Sequence, residues 1–237
     1  MSDQPSAPSA TQHTTLPDIL PIFPLTGVLL LPRGRLPLNI FEPRYLAMTR
    51  DALGGERLNG MVQPSDPIAG GPGIGGPGID RLNPPVYPIG CAGRITQFSE
   101  TDDGRYLLTL TGVSRFRIRE ELPLLGGYRR VVPDWQPFAH DRDTPAKPGF
   151  DRERLIRGLK SFFAQRQFSA DWEAIEKAPG EHLVTSIAMA CPFAPSEKQA
   201  LLEAADPDAR ARLLTTLVEM AALKPTTEES GGGGTRH

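Results

Sequence analysis

The chain has 237 residues, with 26 basic and 28 acidic side chains and a net charge of −2. At 39% hydrophobic and 23% charged it has the make-up of a globular protein, and neither half carries the cationic excess that binding to a nucleic-acid backbone requires. Its 24 glycines and 25 prolines interrupt it too often for long helical arrays, and no stretch nears the roughly 18 apolar residues of a membrane-spanning helix.

Residues 1–16 are polar and aperiodic. They read as a disordered tail without the apolar core of a secretory signal, which points to a cytoplasmic protein. From 17 to 134 the apolar residues come in short runs bounded by Gly, Pro and Asp, the punctuation of strands. Ile19 to Phe23, Val28 to Leu31 and Leu36 to Phe41 are predicted strands. A helix is expected from Glu42, with Pro43 at its first position and Gly54-Gly55 at its end. Leu58 to Gln63 is a further strand. A Gly/Pro insertion at 69–80 then contains the tandem repeat Gly70 to Ile74 and Gly75 to Ile79.

Gly90 to Ser99 and Arg105 to Thr111 flank Glu100 to Gly104 as a hairpin, with Tyr106, Leu108 and Leu110 on one face. Beyond Gly112 a third strand is predicted. It points Phe116 and Ile118 one way and Arg115, Arg117 and Arg119 the other, the pattern of one buried and one solvated face. Tyr128 to Val132 completes six to eight strands, enough for a small barrel or sandwich.

Residues 135–150 read as a linker and 151–223 as a bundle of three to four helices. Leu155, Leu159, Phe162 and Phe163 form one helical stripe, and Trp172 with Ile175 marks a short helix. Leu183, Val184, Ile187 and Ala188 mark another, stopped by Pro192. Ser196 to Gln199 reads as a capping box, and Asp206-Pro207 opens the last helix, with Leu213, Leu214, Leu217, Val218 and Ala221 on its face. Residues 224–237 read as a second disordered tail. The expected fold is therefore α+β, a β-rich unit with one inserted helix followed by a helical bundle.

Chemistry-bearing motifs are sparse. Gly71 to Gly76 matches G-x-G-x-x-G, but Pro72 removes an amide, Pro77 follows directly and no helix comes next, so it is a loop and no dinucleotide site. The chain has no Gly-Lys pair and hence no P-loop. His13, His140, His182 and His237 are scattered without metal-ligand spacing. Cys91 and Cys191 read as reduced, buried residues. Cys191 and His182 face apart on one helix, and Ser186 lacks a nucleophile elbow. No catalytic residue, metal site or cofactor is expected. The best polar constellation is Arg115, Arg117 and Arg119, three guanidinium groups suited to phosphate or an acidic peptide, or else paired with neighbouring acids.

Several ordered motifs resemble one family. Leu20-Pro-Ile-Phe-Pro-Leu25, Leu31-Pro32, Leu36 to Tyr45, Ile89 to Ile95 and Asp103 to Arg117 together resemble the N-terminal, substrate-binding domain of Lon proteases in its stand-alone bacterial form. The resemblance runs from about Leu16 to Leu223. It implies a pseudo-barrel of PUA-like topology followed by a helical bundle. The ATPase and Ser–Lys peptidase modules of such proteases would lie beyond this domain, so the resemblance implies a non-catalytic recognition module. The implied partners are unfolded or degron-bearing polypeptides and a separate ATPase or protease. Phe41, Glu42, Arg44 and Tyr45 sit where the family presents substrate-contacting residues. They read equally as core (Phe41, Tyr45) and a local ion pair (Glu42, Arg44). The alternative function is an RNA-binding PUA-like module using the three arginines, and a hydrolase would need a site that the sequence does not display. Oligomeric state is left open.

Overall fold

The computed structural model describes residues 16–65, 83–143 and 149–223. The predicted insertion at 69–80 and the tail at 224–237 lie outside these residues, as does the other tail except Leu16. Strand β1 (Leu20–Pro24) is followed by β2 (Arg35–Ile40), helix α1 (Pro43–Gly54), β3 (Leu58–Val62), β4 (Ile89–Glu100), β5 (Tyr106–Leu125) and β6 (Tyr128–Asp134). A 3-10 helix (Gln136–Arg142) then leads to α2 (Arg152–Gln165), α3 (Trp172–Lys177), α4 (Gly180–Ala190), α5 (Pro195–Glu203) and α6 (Pro207–Leu223). The fold is α+β, as the sequence pattern requires.

The strands form one sheet in the order β2-β5-β4-β3-β1-β6, and β5 also pairs with β6. That last pairing closes β5, β4, β3, β1 and β6 into a ring. All contacts in it are antiparallel except β1 with β3. The first half of β5 carries β2 as a flap, Arg35 opposite Thr111 through Ile40 opposite Tyr106. Its second half, from Arg117, carries β6.

Two cores result. The ring encloses Leu20, Ile22, Leu58, Val62, Ala92, Phe116 and Val131. Phe116 fills the centre because Gly60 and Gly90 lack side chains, since a Cβ on either would stand 2.8 or 2.7 Å from its ring tip. The larger core lies on the outer face, where Cys91, Ile95, Leu108 and Leu110 meet α1 and the apolar stripes of α2, α4, α5 and α6. The ring is thus buried on both faces over much of its length.

Three expectations change. Val28 to Leu31 is not a strand. It lies in a connection between β1 and β2, here called the strap, with Leu29, Leu30 and Leu31 buried in the outer core. A short apolar run has the same signature in either setting. The two strands predicted across Gly112 are one 20-residue strand. Its register shifts where Gly112 pairs with Gly93 and Ser114 with Ala92, leaving Val113 as a bulge. The helices after the 3-10 segment number five rather than three or four, because α3 spans only six residues and α4 and α5 are separated by Pro192 and Pro195.

Aspartates cap three of the helices, Asp206 as the sequence predicts. Asp151, Asp171 and Asp206 accept from the amides of Arg154, Ala174 and Ala209 at 2.9, 2.9 and 2.7 Å. At α5 the helix begins two residues earlier than predicted. Pro195 takes the first position and Glu197 accepts from the Ala194 amide at 2.8 Å, so Ser196 is not the cap. Asp206→Ala is expected to lower stability by about 1 kcal/mol, read as a fall in the thermal midpoint without loss of helical content.

Candidate functional site

Arg115 does not lie on a solvated stripe. The outer face of β5 at this point is covered by the 3-10 helix and α5, and Arg115 is 1% exposed. Its backbone amide and Nε donate to Asp141 Oδ2, both at 2.9 Å, and its Nη2 donates to Asp141 Oδ1 at 2.8 Å. Its Nη1 donates to the carbonyls of Leu202 and Ala204 at 3.1 and 2.6 Å, serving the last turn of α5. The guanidinium also lies 4.6 Å over the Phe138 ring. Burial alone would raise the Asp141 pKa, but the hydrogen bonds and charge of Arg115 outweigh it and hold the carboxyl below its ordinary value. Arg117 and Arg119 are exposed. The trio is therefore one structural cross-link and two surface cations. Alternation along β5 separated the faces correctly, but could not show that the second face is covered by another layer.

The Phe41-to-Tyr45 segment divides as well. Tyr45 is 6% exposed and its ring centroid is 4.1 Å from that of Phe23. Glu42 and Arg44 form a local ion pair at 2.9 Å, and Arg44 lies 4.5 Å over the Tyr45 ring. Phe41 alone is strongly presented to solvent, at 61% exposure, with the Arg105 guanidinium 5.9 Å from its ring. Phe98, half-exposed, packs edge-on to Tyr106 at 5.0 Å nearby in the same hairpin region.

One surface feature has no counterpart in the sequence pattern. A groove of about 580 Å³ runs between the strap, the start of β2 and helix α4. Residues Glu181, His182, Thr185, Ser186, Met189 and Ala190 line one wall. Their spacing is that of a single helix face, opposite the stripe Leu183, Val184, Ile187 and Ala188 that enters the core. The other wall is Gly27, Val28, Leu29 and Arg33 to Pro37. Lys198 from α5 completes the lining.

The strap is held in place at several points. Gly27 donates its amide to Gln63 Oε1 at 3.2 Å and accepts from Lys198 Nζ at 2.8 Å. Gln63 in turn donates to the Pro195 carbonyl at 3.1 Å and to Gln199 at 3.3 Å. Arg33 adopts a positive φ of 64°, unusual for a residue with a side chain. In that conformation its amide donates to the Gly112 carbonyl at 2.8 Å. Its guanidinium pairs with Glu181 at 2.6 Å and donates to the Asp143 carbonyl. Met189 packs so closely on Gly34 that a Cβ there would fall 2.2 Å from its sulfur. A second depression, lined by Pro37, Leu38, Asn39, Gln97, Phe98 and Leu107 among others, shares Pro37 with the groove and continues it along β2.

Among the described residues the groove gathers no catalytic set. His182 and Ser186 are 3.5 Å apart, an ordinary contact one helical turn apart, and Glu181 is engaged by Arg33 instead of orienting the imidazole. The thiols are buried. Burial pushes Cys191 up to about 11 and raises Cys91 further, away from reactive thiolates. Among the described residues no three His, Cys, Asp or Glu side chains gather as a metal site. Sequence signals for the groove existed only in part. The polar face of α4 was implied by its core stripe, but a buried lysine and a buried non-strand run have no one-dimensional mark.

Comparison with known proteins places this architecture. A family model described as the ATP-dependent protease La (LON) substrate-binding domain matches residues 19–220. Lon protease 2 of Myxococcus xanthus is 27% identical over 216 residues, which is 89% of this chain and 24% of that protein. Lon protease of Anaeromyxobacter dehalogenans is 26% identical, over 86% of this chain and 23% of that protein. The chain thus spans about a quarter of the length of these curated relatives. Among solved structures, the Lon N-terminal domain protein from Xanthomonas campestris superposes with a TM-score of 0.58 at 22% identity, covering 84% of this chain and 97% of that one. The N-terminal domain of Mycobacterium avium complex Lon protease gives 0.57 at 16% identity over the same shares.

Proposed function

The chain belongs to the ATP-dependent protease La (LON) substrate-binding domain family, and from that premise we propose that it is a non-catalytic polypeptide-recognition module whose binding surface is the groove between the strap and α4. The observation that carries this reading is the groove itself. At about 580 Å³ it falls in the range of clefts that bury small ligands nearly whole. Its walls combine Val28, Leu29, Leu36, Pro37, Pro179 and Met189 with a few polar groups, and a thioether adapts to varied side chains. Such a site suits short apolar segments of unfolded chains. Phe41 and Phe98 extend the apolar surface along β2, so the Phe41 segment serves as an accessory contact. In this proposal the bound client is passed to ATPase and peptidase machinery supplied outside this domain.

RNA recognition has less support, because Arg115 is fully engaged inside the molecule and only Arg117 and Arg119 remain available.

The test is fluorescence anisotropy with labelled unfolded casein and a peptide array. Micromolar binding is expected for apolar-rich segments. Ala190→Trp, which fills the groove from an exposed position, should weaken it about ten-fold or more, a loss of about 1.4 kcal/mol, with the thermal midpoint unchanged. If Phe41→Ser abolishes binding while Ala190→Trp leaves it intact, recognition resides at the hairpin and the groove reading fails.

A further inference from the structure

We propose that the groove anchors the free C-terminal carboxylate of its polypeptide client, with Lys198 as the anchoring cation. This rests on the groove being the recognition surface, and adds the chemical identity of the end it recognises. Lys198 is 7% exposed, yet it lines the groove. Among the described residues the ammonium makes one hydrogen bond, to the Gly27 carbonyl at 2.8 Å, and no carboxylate pairs with it. An ammonium carries three donors, so two N–H groups remain on a largely buried charge. A buried charge without a counter-ion is costly, and the cost is relieved by an anion entering the groove. Burial acts in the same sense on the free protein, lowering the Lys198 pKa.

The charges around it are unbalanced in the same direction. Arg33 is neutralised by Glu181. Arg35, exposed and also lining the groove, meets Gln97 at 3.2 Å and no carboxylate among the described residues. Lys198, buried, and Arg35, exposed, are therefore two positive charges beside apolar walls with no carboxylate partner among the described residues. The complementary partner is apolar and carries its negative charge at one end. A chain terminus fits that description, because a single carboxylate follows directly on apolar side chains. An internal Asp or Glu would bring backbone on both sides of the charge into a cleft of this size.

The experiment compares two forms of one labelled peptide ending in Leu-Val-Leu, the free acid and the C-terminal amide, by anisotropy against the full chain. The acid is expected to bind about ten-fold more tightly. Lys198→Met should erase that difference by weakening only the acid, while Lys198→Arg should keep it. The acid–amide comparison in the unaltered protein needs no variant, so a folding defect in Lys198→Met leaves the result intact. Equal binding of acid and amide overturns the inference while the recognition reading stands. Failure of both, together with failure of unfolded casein, overturns the recognition reading as well. An amidated peptide with an internal Asp binding as tightly as the free acid, or octanoate binding as tightly as the peptide, assigns the groove to other carboxylates and also overturns it.

Discussion

Arg115→Met is expected to destabilise the protein by about 3–5 kcal/mol, the usual result of removing one partner of a buried ion pair. For a chain of this size that is a fall in thermal midpoint on the order of 10 °C. The cause is threefold. Asp141, itself buried, loses its bidentate partner. The carbonyls of Leu202 and Ala204 lose their donor at the end of α5. The β5 strand loses its polar link to the helical layer. The pH dependence gives an independent readout. The folded-state pKa of Asp141 is held below its ordinary value. Its contribution is therefore present in full above the unfolded carboxylate value of about 3.9, and is lost as pH falls through the lower folded value. The unaltered protein should lose stability across that acid window. Asp141→Asn should flatten this part of the curve, and Arg115→Met should reverse the Asp141 contribution to it, because burial without the guanidinium raises the carboxyl. A destabilisation below 1 kcal/mol, or an unchanged acid limb, would refute the role given to this pair.

Gly112→Ala is the second large effect. Gly112 lies beneath the strap, donating to the Gly34 carbonyl and accepting from the Arg33 amide, both at 2.8 Å. A Cβ at this position would stand 2.0 Å from the Leu31 carbonyl oxygen and 2.8 Å from its carbon. Those atoms are backbone and cannot rotate away, so the strap has to lift. The expected cost is at the upper end of the 1–3 kcal/mol typical of overpacking. Because the same strap forms one wall of the groove, peptide affinity should fall together with stability. Ala190→Trp, by contrast, should reduce affinity alone. Denaturant titration beside anisotropy separates the two patterns. A Gly112→Ala protein of normal stability would show that the strap is not held as described.

How far the sequence reaches can be judged from these same positions. Most of the strands, the single inserted helix and the Asp206 cap were legible because period-two alternation, Gly/Pro punctuation and short polar caps are local signals. Leu29 to Leu31 misled because an apolar run records burial and not hydrogen bonding. Arg115 misled because alternation distinguishes two faces but not what covers each. Phe41 and Tyr45 carry the same aromatic signal in sequence, yet one is open to solvent and the other packs on Phe23. Lys198 was invisible. It is one of five lysines, on a short helix with an ordinary polar composition, and its burial arises from the strap, where Gly27 lies 171 residues earlier in the chain.

The closed ring also dictates an order of events during folding. β1 finds its partners only in β3 and β6, so the first strand made cannot complete its edges until the last is available. The outer face waits longer still, because Arg115 meets its final acceptor at Ala204 and α2 packs on α6. With so many pairings between distant parts of the chain, folding belongs to the slow, high-contact-order class. A nascent chain that has finished its barrel still exposes the apolar outer face and an unpaired arginine, and in that interval it is itself an unfolded polypeptide of the kind its groove is proposed to bind.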